Sequence, residues 1–362
     1  MTNKKIRVGI IGLNPDSQWA SKSHFPALKH LSDDFELVGV ANSTYESALK
    51  TANALNIPIA FKSAVELIHS NEIDLVTITV KVSSHLNLVK EALYAGKHIY
   101  CEHPLGVNLK ETMELAELAS KCNVVAAVGT QMPFAPEVIY LERLIKENYP
   151  GRVLSTSLIG SGIFWSNETM ASLYYMYDKA AGATMLNIPL AHTLTGFQKV
   201  LGPINTLKAK MISNFSTVKI KDTGEVKPKT AEDQIMIIGD LKSGAAFSIH
   251  YRAGMSKGTN FLWEINGTEG DIQVTGNLGH GQFAQLTIMG ARHDEKTMTK
   301  LDPPRELMAG LPEGLLARNV ANLYKAIAYD IRNNTHTAPS FSDSVSLFTL
   351  LNAIEASGAA AS

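Results

Sequence analysis

The chain has 362 residues, 45% of them apolar and 19% charged, with a formal net charge of −1. At roughly 150 residues per domain, that length suits two domains, each able to bury a core without covalent staples. The near-neutral charge, with no block of Lys or Arg, excludes a nucleic-acid surface. Two cysteines, Cys101 and Cys122, exclude a disulfide framework and a zinc knuckle. No run reaches the roughly 18 apolar residues of a membrane span. The opening MTNKKIRVGII enters a strand directly, without the apolar region of a signal peptide, and this points to the cytoplasm.

The first stretch, IRVGIIGLNPDSQWASKSHFPAL (6–28), is an apolar run with Gly9 and Gly12. A polar turn (Asn14, Pro15, Asp16, Ser17) and a helix-capable segment from Trp19 follow. A buried strand, a glycine turn and a helix in that order open a βα unit and aim backbone N–H groups at one point, which suits a pyrophosphate. The usual G-x-G-x-x-G is broken, since Asn14 stands at the second glycine and residues are inserted before Ala20. Asn tolerates positive φ, so the turn remains open to it, as does a plain βα turn with no ligand.

Strands and helices then alternate. FPALKHLSD, YESALKTANALNI, SAVELIHSNEI (opened by Ser63), SSHLNLVKEALYAG (capped by Ser83 or Ser84, ended by Gly96) and NLKETMELAELASKCN read as helices. FELVGVANS, IPIAF, DLVTITV, KHIYCEHP and VVAAVGTQ read as strands. This alternation predicts an α/β fold, a Rossmann doubly wound parallel sheet over residues 1–130, with its ligand beyond the carboxyl ends of the strands.

From Gln131 the texture changes. A helix (PEVIYLERLIKENY), the alternating GRVLSTSLIGSGIFW, the tyrosine-rich SLYYMYDKAAGA and a helix through LAHTLTGFQKVL come first. Then follow β-like runs INTLKAKMIS, DQIMIIGDL, AAFSIHYRA, NFLWEINGTEGDIQVTG and QLTIMG, a long helix over 313–336 and a last helix in DSVSLFTLLNAIEASGAA. Period-two patterning predicts a C-terminal α+β domain over 131–362 with a large, mostly antiparallel open sheet covered by helices on one face.

Three motifs coincide in order and spacing: G-I-I-G-L-N with W-A and S-H-F-P-A-L, then A-L-Y-A-G-K-H-I-Y-C-E-H-P-L, then I-N-G-T-E-G-D-I. Together they resemble the Gfo/Idh/MocA oxidoreductase family over essentially the whole chain. The G-L-N, W-A and H-x-P variants resemble the branch containing the yeast galactose-pathway repressor. The resemblance implies NAD(P) at the first strand and a sugar-like or polyol substrate oxidised at a secondary hydroxyl. It also implies a homodimer or homotetramer through the C-terminal sheet.

The resemblance also assigns residues. The cofactor turn is Gly12, Leu13 and Asn14, with Trp19. The family's E-K-P lysine beside the nicotinamide corresponds to His103, in Glu102–His103–Pro104. A histidine can accept or donate a proton near neutral pH, so the exchange can preserve acid–base work; equally, His103 only contacts cofactor or substrate. Glu102 orients the cofactor or caps a turn, and Pro104 fixes the turn, with a cis bond as one option. In the second catalytic segment, GATMLNIPLAH, Gly182 and His192 are retained; Ile188 occupies the aspartate position and Thr195 replaces a further acid. His192 is read as an active-site residue or a satisfied buried histidine. Of Tyr174, Tyr175 and Tyr177 one is expected in the pocket, Tyr177 being the candidate. Trp165, Asn187 and His192 are the substrate-side candidates, Trp165 as an apolar wall for a sugar ring or as core.

The second strand ends in Asn42 and Ser43 instead of the acid that holds NAD's ribose and repels the NADP phosphate, which leans the chain to NADP. Val80, Lys81 and the retained His85 stand where the family contacts the pyrophosphate, His85 also suiting a capping role. Gln131 ends the last strand of the series. Arg252 suits an anionic substrate group or an interface ion pair. The histidines show no H-x-x-x-H or H-x-H spacing, so no metal is expected.

Two functions follow. One is an NAD(P)-dependent dehydrogenase or reductase acting on sugar or polyol CH–OH groups, with His103 and His192 managing the proton. The other is a non-catalytic NAD(P)-binding transcriptional regulator of sugar metabolism, favoured by loss of the lysine and the aspartate.

Overall fold

A computed structural model describes residues 4–16 and 19–360. Ser17 of the polar turn lies outside the described residues. The opening βα series comprises β1 (Ile6–Ile11), α1 (His24–His30), β2 (Phe35–Ala41), α2 (Tyr45–Leu55), β3 (Ile59–Ala60), α3 (Ala64–His69), β4 (Leu75–Ile78), α4 (His85–Tyr94), β5 (His98–Glu102), α5 (Leu109–Ser120) and β6 (Ala126–Gly129). Then come α6 (Pro136–Lys146), β7 (Val153–Ser161), β8 (Glu168–Thr169), α7 (Ala191–Leu201), β9 (Ile204–Ile212), β10 (Thr217–Ile220), β11 (Val226–Pro228), β12 (Gln234–Leu241), β13 (Ala246–Arg252), β14 (Phe261–Gly267), β15 (Gly270–Gly276), β16 (Leu286–Arg292) and β17 (Thr299–Lys300). Three helices close the chain: α8 (Arg305–Met308), α9 (Leu315–Asn333) and α10 (Phe341–Ala360).

Contacts divide the chain into two compact units, one of Met1–Thr130 with Gly310–Phe348, the other of Gln131–Ala309 with Thr349–Ser362. The first unit thus takes in 310–348, which the sequence reading placed with the second half.

In the first unit, six parallel strands run in the order β3-β2-β1-β4-β5-β6. Their central residues are apolar on both faces, as a sheet sandwiched between helices requires; Val8, Ile10, Leu75, Val76, Ile99 and Cys101 are wholly buried. The order reverses between β1 and β4, the place where such sheets open a crevice at their carboxyl ends. Ser63 caps α3, its hydroxyl accepting from the Glu66 N–H at 3.1 Å, and Asn108 caps α5 in the same way at 3.0 Å. Ser84 begins α4 without a side-chain cap, contrary to the sequence expectation. Helix α1 starts at His24 and not Trp19; between them the Lys22 and Ser23 N–H groups close a turn onto the Trp19 carbonyl.

Helix α9 joins this unit because Val320, Leu323, Tyr324 and Ile327 recur at helical spacing and are all wholly buried. The Tyr324 ring packs 5.3 Å from Phe35 and 5.0 Å from Tyr100, centre to centre. Beyond α9 the Asp330 carboxylate gathers the N–H groups of Thr337 and Ala338 at 2.8–2.9 Å. The chain then pairs with β6 through Val128 N–H to the Pro339 carbonyl at 2.8 Å, covering that sheet edge.

In the second unit, an eight-stranded sheet runs β17-β16-β15-β14-β7-β13-β12-β9. Only β7 and β13 pair in parallel; the other neighbours are antiparallel. Ile235, Ile237, Phe247, Ile249, Trp263, Ile265, Ile272 and Val274 alternate on the buried face. Helix α7 packs there, Phe197 lying 5.8 Å from Phe247 and 5.6 Å from Trp263. A three-stranded sheet, β11-β10-β8, escaped the sequence reading because its strands are short and polar. Beside it the Lys229 ammonium is buried, bonded to the Ala231 carbonyl and 3.3 Å from Asp233. Asp233 also takes the N–H groups of Asn214 and Phe215 at 2.7 and 3.1 Å.

Among the described residues no helix is long and apolar enough to cross a membrane, and no group of three His, Cys, Asp or Glu could hold a metal ion.

Candidate cofactor and substrate site

In the first unit the sequence-derived residues follow the carboxyl ends of successive strands: Gly12, Leu13 and Asn14 after β1, Asn42 and Ser43 after β2, Val80 and Lys81 after β4, His103 after β5. Gly12 has φ +99°, and a Cβ there would stand 2.7 Å from Val80 Cγ1. Both the backbone and the space therefore demand glycine, and the turn is kept bare where a pyrophosphate would approach. This fits a dinucleotide. Asn14 is accommodated differently from the expectation. It is not among the positive-φ residues; its Oδ1 accepts the Asp16 N–H at 2.9 Å in an Asx turn. Leu13 is wholly buried, its carbonyl accepting from Thr51 Oγ1 at 3.3 Å. At the end of β2, the Asn42 amide donates to Ser47 Oγ at 3.2 Å and Thr51 Oγ1 at 3.1 Å, while Ser43 is exposed.

Glu102, the last residue of β5, receives the Trp19 indole N–H at 2.8 Å on Oε2 and His24 Nε2 at 3.0 Å on Oε1. His24 Nδ1 in turn lies 2.9 Å from the Tyr324 hydroxyl, which lies 3.0 Å from Thr77 Oγ1. Burial raises the Tyr324 pKa well above the ordinary phenol value. Sequence reading flagged His24 only as part of a motif and missed Tyr324 and Thr77, whose spacing signals core and nothing else.

The peptide between His103 and Pro104 is cis, the option the sequence left open. His103 is 7% exposed, its ring 6.1 Å from that of Phe348. His85 is buried at the start of α4, its nitrogens 2.9 Å from the Pro104 carbonyl and 3.0 Å from the Val80 carbonyl. It thereby sits between the loop after β4 and the cis-proline turn; burial lowers its pKa, and the neutral ring has a single N–H to donate to one of these two carbonyls. That geometry makes His85 part of the loop wall and not a helix cap. Lys81 is exposed beside it.

The second unit holds the other candidates. Gln131 is buried ahead of a short 3-10 turn. His192, 3% exposed, lies in the first turn of α7. The preceding Leu186–Leu190 turn is a π-helix, because Pro189 lacks an N–H and the Leu190 N–H reaches back to the Met185 carbonyl at 3.2 Å. Asn187, half-buried in that turn, donates to the Gly182 carbonyl at 3.2 Å. The Thr195 hydroxyl bonds the His192 carbonyl at 2.7 Å, so it serves the backbone and does not replace the missing acid.

Two expectations are corrected here. Tyr177 is wholly buried, its hydroxyl accepting the Trp165 N–H at 3.0 Å and donating to the Glu168 carbonyl at 3.0 Å. That phenol is engaged on both sides and holds a loop instead of moving a proton. Trp165 is also wholly buried, with its indole N–H directed at the Met176 and Ala183 carbonyls at 2.9 and 3.2 Å. Its face is covered by His280, stacked at 6.1 Å and 23°, so it offers no wall to a sugar. The segment carrying it is strained, with φ +66° at Ile163 and +64° at Trp165. His280 Nε2 donates to the Gly162 carbonyl at 2.5 Å and holds that strained turn in place. Burial lowers the His280 pKa to about 4. Arg252 donates to the Thr259 carbonyl, closing a loop of its own unit.

The galactose/lactose metabolism regulatory protein GAL80 of Kluyveromyces lactis is 27% identical over 307 residues, covering 79% of this chain and 67% of that one. Dehydrogenase aclE of Aspergillus oryzae is 28% identical, covering 76% and 78%. The structure of levoglucosan dehydrogenase in complex with NADH and levoglucosan shares the fold, at a TM-score of 0.86, 20% identity and coverage of 99% and 98%. Residues 6–130 thus match the NAD-binding Rossmann domain of the Gfo/Idh/MocA oxidoreductases, and residues 136–276 match the C-terminal domain of Gal80p.

Proposed function

We propose that the protein is an NAD(P)-dependent oxidoreductase that moves hydride between nicotinamide and a secondary alcohol of a sugar or polyol. One observation carries this reading: a nearly buried imidazole, His103, is set on a cis-proline turn at the carboxyl end of β5. That is one strand from the switch point at which doubly wound sheets bind dinucleotides. Gly12, Leu13 and Asn14 would hold the pyrophosphate, and Asn42 and Ser43 the adenosine ribose. The bound nicotinamide supplies the hydride chemistry. His103 holds or takes the proton of the substrate hydroxyl, a task suited to an imidazole near neutral pH. In the second unit, His192 and Asn187 are the residues proposed to meet the substrate. The chain works as a homodimer or homotetramer through the open face of the eight-stranded sheet, where Ile238 is 60% exposed; sedimentation velocity reads its mass.

A second reading has its own support. A Gal80p-type C-terminal domain, with Ile188 where the family has an acid, suits a cofactor-binding regulator without turnover. Titration of nicotinamide fluorescence with NADH and NADPH, then a panel of sugars and polyols, separates the two. Turnover of any member establishes the oxidoreductase. Binding with no turnover across the panel transfers the assignment to the regulator, and absence of binding removes both.

We assign the weaker discrimination against the NADP phosphate to Asn42, because a neutral amide replaces the repelling carboxylate. Asn42→Asp should shift the NADPH:NADH affinity ratio towards NADH by about tenfold, the effect of one added like charge close to a phosphate. An unchanged ratio would place the ribose elsewhere.

A further inference from the structure

We infer that the buried row Thr77–Tyr324–His24–Glu102–Trp19 shapes the glycine-poor cofactor loop, with His24 and Tyr324 acting as positioning residues that touch neither cofactor nor substrate. The inference rests on the dinucleotide reading above for what the loop receives, but not for the row itself.

A glycine-rich loop is shaped by backbone that packs closely; this loop has Asn14 and inserted residues instead, and an anchor from outside can supply the missing constraint. Trp19 provides it. The Trp19 carbonyl accepts the Lys22 and Ser23 N–H groups at 3.0 and 2.9 Å and the Ser23 hydroxyl at 2.7 Å, closing the turn into α1. The Trp19 indole is fixed on the Glu102 carboxylate of β5 at 2.8 Å. Whatever fixes that carboxylate therefore fixes the turn from Trp19 into α1.

For a His24 ring bearing a single proton, matching donors to acceptors along the row leaves one arrangement. A carboxylate only accepts, so both Trp19 Nε1 and His24 Nε2 must donate to it. A neutral His24 with its proton on Nε2 presents a bare Nδ1, so the Tyr324 hydroxyl donates there and accepts from Thr77. His24, Tyr324 and Thr77 are wholly buried, and each donor in the row has one acceptor.

The row can also run backwards. With Gln at position 102, the amide oxygen still accepts from Trp19 while the amide N–H donates to His24 Nε2. His24 then carries its proton on Nδ1 and gives it to Tyr324 Oη, which donates to Thr77. Glu102→Gln should therefore be mild, provided Tyr324 keeps its oxygen. Tyr324→Phe alone removes the donor to the bare His24 Nδ1 and the acceptor of the Thr77 hydroxyl; it strands no donor on His24, and Thr77 lies on β4 outside the Trp19–Leu28 peptide, so the effect on that peptide should also be mild. Combined, the two strand a buried His24 N–H with no acceptor, and a stranded donor costs far more than a lost bond.

The test is amide exchange of the Trp19–Leu28 peptide in the full chain, for wild type, Glu102→Gln, Tyr324→Phe and the double variant. Each single change should speed exchange by no more than about threefold, and the double by at least about tenfold beyond their product. Effects that simply multiply would overturn the inference, because loss of packing alone carries no dependence on proton direction. If the double variant does not fold, Glu102→Leu replaces it: exchange must rise about tenfold there while Glu102→Gln stays near wild type, and equal effects of the two would overturn the inference. Nicotinamide fluorescence on the same samples should lose affinity in parallel with exchange. Wild type that binds neither NADH nor NADPH would remove the dinucleotide reading, with exchange still deciding the row.

Discussion

His103→Ala is expected to lower kcat on the substrate found by the panel by about 10²- to 10⁴-fold, the worth of a positioned general acid or base. Cofactor affinity should stay within about threefold of wild type, since the imidazole is assigned to the transition state and not to uniform binding. His103 directly follows β5, and the Pro104 carbonyl next to it lies 2.9 Å from the buried His85 ring. A nearly buried imidazole at that place suits proton transfer better than surface contact. The family's lysine at this position gives a second comparison, His103→Lys, which should restore part of the turnover and move its pH optimum upwards. Turnover retained in His103→Ala would remove the proton role, leaving the histidine as a space-filling replacement for the lysine.

Acid should destabilise the fold through His280. Its folded pKa is about 4, held down by burial, against an unfolded value near 6.5. Above pH 6.5 neither state binds the proton and the full contribution is present. As pH falls from 6.5 to 4 the unfolded chain takes up a proton that the folded chain refuses, so stability drops by about 3 kcal/mol across that window. Below pH 4 both states carry the proton and this loss is complete. His280→Gln should keep the bond to the Gly162 carbonyl, because its amide nitrogen reaches the place of Nε2, while removing the titration. Urea unfolding followed by tryptophan fluorescence at pH 7, 5.5 and 4 should show the variant losing about 3 kcal/mol less than wild type. Parallel losses would show that the proton is taken up elsewhere, burial also lowering the pKa values of His85, His98 and His250.

Much of this molecule is written in local patterns. Continuous apolar runs between amphipathic helices announce the parallel sheet, and the alternation of Trp263, Ile265, Ile272 and Val274 announces the open one. The bare turn at Gly12 and the placement of His103 after a strand are equally legible, because each depends on residues near in sequence. What was illegible depends on distant partners. Nothing local distinguishes Tyr324 from any core tyrosine until it meets His24, some 300 residues away. Trp165 reads as a sugar platform until His280 is found lying on it. Tyr177 reads as a proton donor until the Trp165 N–H and the Glu168 carbonyl are seen to occupy its hydroxyl. Asn14 shows a different failure, in which backbone propensity suggested a left-handed residue and the side chain solved the turn instead.

The helix that carries Tyr324 bears on how the protein is made. During synthesis the six strands of the first unit emerge long before the ribosome reaches residues 315–333, which complete that unit's core. Until then Phe35, Tyr100 and His24 lack the ring they pack on, and β6 lacks the segment that covers its edge. The nascent half-chain therefore spends the translation of nearly 200 residues with an open seam and an unpaired strand, the kind of exposed surface that invites association between chains.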